Sequence, residues 1–357
     1  MTAQPERSGR AAGGARILLD CRWLGSGGAG RVTELLLRDL QREPPAGTWL
    51  LWGDPDRIRP MLFPGATIVE WHGRPDRWFG QADLLRVPPA DVAIYLHQIR
   101  PLRPGPSITF IHDTIPVRLE PRRLVRGAKR VYLQIAARLS SEIITVSEWS
   151  RQSIVQDLRI APRRIHVAAL GLDPERARRL VGLRARAPRR QQIIYVGRFA
   201  RHKNLRRLSR AFQRTEFRAA GGTLLLVGGS TEEVAEISAW LTNERLAGIQ
   251  IRGQCPDEDL DDLLATARAL VLPSIEEGYG LPAVEAASVG LPVIATRTGY
   301  APTIPADRVV FADPFDEEAL ATAIDAALAR PEVSGGWTPP SNVGGSVLEA
   351  LGQVLRR

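Results

Sequence analysis

The stretch LVLPSIEEGYGLPAVEAASVGLPVIAT, residues 270–296, says most about how this chain folds. Two apolar runs, ARALVLPS and LPVIAT, read as short buried strands. Between them PAVEAASV starts a helix, with Pro282 where a missing N–H costs nothing. The order is strand, glycine loop, helix, strand. Such a unit closes a parallel sheet and leaves its loop at the strand's carboxyl end, where open α/β sheets bind ligands. Two carboxylates, Glu277 and Glu285, stand either side of that loop with seven residues between them.

Working outward, the same alternation covers the chain. RILLD, TWLLWG, ATIVEW, DVAIYL, SITFIHD, EIITVS and IHVAALG read as strands of a first unit, and GSGGAGRVTELLLRDL as a glycine turn opening a helix. Residues 173–190, DPERARRLVGLRARAPRR, are charged and arginine-rich and read as a linker. The pattern then restarts with QIIYVG, TLLLVGG and IQIRG as strands and NLRRLSRAFQRT, EEVAEISAWLTNE, DEDLDDLLATA and FDEEALATAIDAALA as helices. This predicts an α/β fold of two Rossmann-like domains facing across a cleft. The expected limits are 1–172 and 191–335, with 336–357 as a closing helix.

At 357 residues the chain exceeds one ordinary core, in keeping with two domains. Cys21 and Cys255 lie far apart and show no disulfide or metal spacing, which suits a reducing compartment. The first fifteen residues lack the apolar centre of a signal peptide. No apolar run approaches the roughly 18 residues of a membrane span. These features predict a cytoplasmic chain.

Charge is uneven. Residues 1–190 carry 32 basic and 18 acidic side chains, and the remainder 16 and 21, within a net charge of +9. The basic half suits an anionic partner such as a nucleotide or a lipid head group. A general arginine bias accounts for it equally, since only Lys129 and Lys203 are lysine. Nucleic acid fits poorly: aromatic content is 6% and no stripe interleaves aromatics with bases. In the helix expected at 122–140, Leu124, Ala128, Val131, Ile135 and Leu139 predict a buried face. Arg123, Arg126, Lys129, Arg130 and Arg138 are then expected opposite, a face suited to anionic lipid or simply to solvent.

Four constellations carry candidate chemistry. In YVGRFARHKN, Gly197 makes a turn, and Arg198 and Lys203 follow just past a strand's end. A guanidinium fork and an ammonium suit a pyrophosphate; a solvated basic loop has the same spacing. Around Glu277 and Glu285, Gly278 and Gly280 offer backbone N–H groups near a helix start. Carboxylates accept hydrogen bonds, so one suits a sugar and the other a ribose. Taken singly, Glu285 also fits a helix-dipole partner and Glu277 a surface loop. GSGGAGR, with Gly28 inside it, brings amides to a phosphate or permits a tight turn. In FIHDTIP, His112 and Asp113 stand at a strand's end, where the imidazole can donate to a sugar hydroxyl or a phosphate; a lone histidine is as readily a structural one. His72, His97, His166 and His202 have no comparable context. DPD at 54–56 sits in a turn.

These pieces, in order and over nearly the whole chain, resemble the family 4 glycosyltransferases, retaining enzymes of the GT-B fold that use nucleotide sugars. SGGAGRVTELLLRDL is similar to the family's first glycine loop, HDTIP to its histidine motif, and YVGRFARHKNL to its phosphate-binding segment. PSIEEGYGLPAVEAASVGLPVIAT resembles its paired-glutamate signature. GGW at 335–337 fits the approach to a last helix that returns to the first domain.

The resemblance implies that Arg198 and Lys203 hold the donor diphosphate, beside Gly197. Glu277 would lie by the transferred hexose, with Gly278, Tyr279, Gly280 and Leu281 lining the donor. Glu285 would bind the ribose, Gly28 would approach from the opposite domain, and His112 would sit by the sugar. No cofactor and no metal are implied. HDTIP resembles branches that often transfer mannose, which leans towards GDP-mannose. The acceptor would be a glycan, a lipid-linked saccharide or a small molecule, with contact to the inner membrane face as a further expectation. Thr303 departs from the glutamate the family often has there. A catalytically silent GT-B partner of another transferase is the alternative.

Overall fold

The computed structural model describes residues 14–71, 87–331, 333 and 336–357, and two parallel sheets organise them. The first contains β1 (Arg16–Asp20), β2 (Thr48–Gly53), β3 (Ala66–Glu70), β4 (Val92–Tyr95), β5 (Ser107–Phe110), β6 (Glu142–Thr145) and β7 (Ile165–Val167), in the order β3-β2-β1-β4-β5-β6-β7. The second contains β8 (Gln192–Val196), β9 (Thr223–Val227), β10 (Ile249–Arg252), β11 (Ala269–Leu272), β12 (Val293–Ala295) and β13 (Val309–Phe311), in the order β10-β9-β8-β11-β12-β13. Strand β13, three residues at an edge, was not anticipated; it is too short to carry a period.

Both orders reverse direction once, between β1 and β4 and between β8 and β11. Loops on either side of such a reversal splay apart and open a crevice at the strands' carboxyl ends. The expected glycine loop after β1, basic loop after β8 and glutamate loop after β11 therefore all fall at switch points. The fold is the α/β arrangement of two Rossmann-like domains that the sequence predicts.

Burial follows from composition. β11 and β12 are buried throughout, as central parallel strands covered on both faces must be. The helix Leu281–Ser288 is buried from Ala283 to Ser288, because its alanines let it lie close against the sheet. Tyr279, Val284 and Tyr300, which belong to the second unit by sequence, pack into the core of the first. The two domains therefore share apolar surface beside the glutamate loop.

Residues 174–186 of the stretch read as a linker form a helix, Pro174–Arg186, capped by Asp173, whose side chain accepts from the Glu175 amide. Leu180 on this helix enters the second core, and the Arg184 guanidinium donates to the carbonyls of Leu264, Ala265 and Ala267. The last helix, Val343–Leu355, sends Val343, Val347, Ala350, Leu351 and Val354 into the first core. Gly335 of the GGW stretch and His72 lie outside the described residues.

One expectation is overturned. In the helix Arg123–Leu139 the buried side chains are Tyr132, Leu133, Ala136 and Ala137. The stripe expected to face the core points outward: Leu124 is 90% exposed, Val131 54% and Ile135 40%. The helix has two apolar faces about a third of a turn apart, and the one with the aromatic ring was buried. Arg123, Arg130 and Arg138 are exposed along with it, and Arg126 and Lys129 are half-buried.

Candidate active site

At the second domain's switch point, Gly197 closes β8 with φ +149°, a conformation that favours glycine. Its amide donates to the Val227 carbonyl at 3.0 Å. The loop then turns through Arg201–Lys203. The Lys203 ammonium donates to both oxygens of Glu277, at 2.8 and 2.7 Å, and the Ser274 hydroxyl adds a third bond at 2.9 Å. Lys203 and Glu277, expected on a diphosphate and on a sugar, are thus held together in one place. Oε2 accepts from both Lys203 and Ser274, and Oε1 keeps a further lone pair for a hydroxyl. Arg198 lies apart: its side chain is 79% exposed and reaches Glu233 at 3.2 Å.

Past Glu277 the loop crosses to the first domain. The Gly278 carbonyl accepts from the hydroxyls of Ser147 at 2.6 Å and Ser150 at 3.2 Å. A Cβ on Gly278 would lie 2.8 Å from the Asp113 carboxylate, so a side chain here would press on the contact between the domains. The Tyr279 hydroxyl accepts from the amides of Leu170 and Gly171 at 3.2 and 3.1 Å, and its ring stacks on Tyr300 at 4.6 Å. Carbonyls and the phenol of this loop are thereby engaged. By contrast, the amides of Gly278, Tyr279 and Gly280 donate to no other described group. They stand at the amino end of the helix Leu281–Ser288, whose dipole favours an anion or oxygen-rich ligand.

Glu285 lies elsewhere on that helix, 5% exposed. Its carboxylate is bonded at 2.5 Å to Arg176, which also meets Asp261. Glu285, Arg176, Arg31, Arg38, Gly171 and Leu281 line one small interdomain hollow, and Arg31 crosses the boundary to Asp257 at 2.8 Å. Gly28 sits in the first turn of the helix Gly27–Arg42, with open space where a Cβ would go. Close packing falls to Gly30, whose Cβ would be 2.7 Å from the Trp23 carbonyl.

On the first domain's side the imidazole of His112 corrects an expectation. Its Nε2 faces the Leu96 carbonyl at 3.0 Å. A carbonyl only accepts, so Nε2 carries the hydrogen and Nδ1 is a bare acceptor. With that bond made, the neutral ring accepts from a hydroxyl and does not donate to one. Burial holds His112 neutral, its pKa lowered to about 4. Next to it, burial raises Asp113 to about 6, against the Ile115 amide that lowers it, with Glu277 adding repulsion. Burial and then the Lys203 charge push His202 down to about 4.

Sequence reasoning missed Asp113, Ser147, Ser150 and Arg176. Short polar side chains in loops carry no period, and their partners are distant in sequence. Asp113 alone had a signal, as the neighbour of a histidine at a strand's end. Asp54 accepts from the Asp56 amide at 3.0 Å as a helix cap, which explains DPD locally. Thr303 turns its hydroxyl to the Tyr300 carbonyl at 2.7 Å.

Comparison with known proteins places this geometry. By fold, the chain is similar to sucrose-phosphate synthase from Thermosynechococcus elongatus (TM-score 0.66, 19% identity, covering 95% of this chain and 94% of that one). It is likewise similar to HepE of Anabaena solved with UDP and glucose (TM-score 0.64, 18% identity, 95% and 100%). By sequence it is 30% identical over 190 residues to O-antigen chain mannosyltransferase B of Escherichia coli, covering 51% of this chain and 50% of that protein. It is 31% identical over 185 residues to the MMP alpha-(1->4)-mannosyltransferase of Mycolicibacterium hassiacum, covering 50% and 41%. The chain spans about half the length of these curated relatives. The architecture is thus that of GT-B glycosyltransferases. Residues 184–337, which hold Lys203, Glu277 and the amide loop, match the model of the glycosyl transferases group 1 family.

Proposed function

We propose that this chain is a retaining hexosyltransferase that moves a sugar, mannose in the first instance, from a nucleoside diphosphate to a hydroxyl of a glycan, a lipid-linked saccharide or a small molecule. The observation that carries it is Lys203 and Glu277 in contact at a switch point, beside three unpartnered amides and against Asp113 of the other domain. Both relatives described above are mannosyltransferases by name.

When the bond between the anomeric carbon and the phosphate oxygen breaks, negative charge grows on the departing diphosphate. Lys203, and Arg198 swinging in from the surface, would stabilise that charge. The acceptor oxygen attacks from the same face, and its proton passes to the departing phosphate oxygen. Glu277, turned partly to the sugar once Lys203 is shared with phosphate, would orient a hydroxyl. Glu285 would release one lone pair to the ribose while keeping Arg176. The reading calls for no metal, since side-chain cations provide the charge, and turnover in EDTA is expected to match turnover without it.

Surface chemistry extends the reading to a membrane. No described helix is long and apolar enough to cross a bilayer. Leu124, Val131 and Ile135, flanked by Arg123, Arg130 and Arg138, form an outward strip suited to anionic lipid at a cytoplasmic face. Leu124→Glu is expected to reduce sedimentation with anionic vesicles several-fold; equal sedimentation of both proteins removes the membrane from the reading.

A panel of GDP, UDP and ADP tests the transfer reading by thermal shift, followed by turnover of the matching hexose donors. One nucleotide should raise the melting temperature, since a ligand at about 100 times its Kd adds about 2.7 kcal/mol. No shift and no turnover with any of them would leave the catalytically silent partner instead.

A further inference from the structure

His97 and His112 follow adjacent strands, β4 and β5, at the cleft edge of the first sheet. Their ring centroids are 5.6 Å apart. Backbone groups fix the two rings in complementary senses. The Ile99 amide donates to His97 Nδ1 at 3.0 Å, so that nitrogen is bare and the hydrogen of the neutral ring lies on Nε2. His112 has its Nε2–H committed to Leu96, leaving Nδ1 as an acceptor. Neither His97 Nε2 nor His112 Nδ1 has a hydrogen-bond partner among the described residues, and neither is among their buried orphaned atoms, so both keep access to water. Burial lowers both rings' affinity for a proton, which holds them neutral and preserves the pattern.

Trp23 stacks on His97 at 3.8 Å, although its own indole Nε1 is buried without a partner among the described residues. The stack fixes the plane of the His97 ring. Asp113, adjacent to His112, presses on Gly278 next to Glu277. The pair therefore borders the sugar end of the crevice and not the nucleotide end.

With His112 by the sugar and accepting at Nδ1, we propose that His97 is a further specificity residue, donating from Nε2 to a second hydroxyl of the transferred hexose. This rests on the transfer reading above. A hexose offers neighbouring hydroxyls, each able to donate or accept, and one donor beside one acceptor fixes the direction of both bonds.

The test has two arms. Long-range proton–nitrogen NMR of the full chain should show hydrogen on Nε2 of both rings; hydrogen on Nδ1 of His97 overturns the proposal whatever the donor. In the second arm, GDP-mannose and UDP-glucose are compared on wild type, His97→Phe, which keeps a ring against Trp23, and His97→Gln, which restores an N–H. His97→Phe should lower kcat/KM roughly 5- to 50-fold with nucleoside diphosphate affinity unchanged, and His97→Gln should recover most of it. Equal turnover by wild type and His97→Phe overturns the pair while leaving the transfer reading intact. If wild type consumes neither donor, that reading fails, and the pair is judged by whether mannose or glucose with GDP or UDP moves the His97 and His112 nitrogen signals; unmoved signals overturn it as well.

Discussion

The two switch points of this molecule are built from opposite materials. In the second domain, the loops after β8 and β11 carry full charges, Lys203 on Glu277, in water-accessible contact 14% exposed on each side. In the first, the loops after β1, β4 and β5 carry neutral imidazoles, the Trp23 stack and an ion pair, Asp20 with Arg22, sealed under Trp52 at 4.3 Å. A water-accessible ion pair on one wall and directed, mostly buried hydrogen-bonding groups on the other suit a ligand that is anionic at one end and hydroxylated at the other. A wall of charges tolerates sloppy geometry, because Coulomb attraction falls slowly with distance. A wall of directed hydrogen bonds does not, which is why the first domain's groups are buried and packed.

The contrast breaks most sharply at Lys203. Lys203→Ala should cut donor turnover by about 10²–10³, the loss seen when one fixed donor to a developing anion is removed; a loss under tenfold would move the charge elsewhere. Gly278→Ala probes where the walls meet. Its methyl would press on Asp113, so folding stability should fall by about 1–3 kcal/mol, with Asp113→Gly in the same chain restoring part of it. Tyr279→Phe leaves the Leu170 and Gly171 amides without their acceptor and should lower the unfolding free energy by about 1–2 kcal/mol, read by urea denaturation. The smallest effect concerns pH. His112 and His202, near 4 in the folded chain and near 6.5 unfolded, bind fewer protons folded than unfolded, so stability rises with pH between about 4 and 6.5. Asp113, raised from 3.8 to about 6, binds more protons folded and opposes that rise up to about 6. Asp113→Asn should therefore steepen the climb in melting temperature from pH 4 to 6.

Much of this was legible beforehand, and the reason is local chemistry. Twelve of the strands announced themselves as short apolar runs, and the glutamate loop announced itself by glycines around carboxylates. What stayed hidden depends on partners far away in the chain. No pattern around His97 tells that its hydrogen lies on Nε2; that follows from one bond to Ile99. Nor does periodicity reveal which of two apolar faces of Arg123–Leu139 is covered, since both recur every three or four residues and only packing chooses. Glu285 was read for hydroxyls without its tie to Arg176, 109 positions away.

The chain leaves the first sheet after Leu170 and comes back at Ser341, and the outgoing and incoming threads lie side by side as an antiparallel bridge. Ala169 and Asn342 are stitched both ways, at 2.7 and 3.0 Å. Topologically the second domain is a guest inserted in its host through a single two-threaded seam. Cutting at the seam and rejoining residues 171 and 341 with a tight turn would leave a host whose closing helix is still attached, whereas simple truncation after residue 172 would strip that helix away and expose the apolar bed it fills.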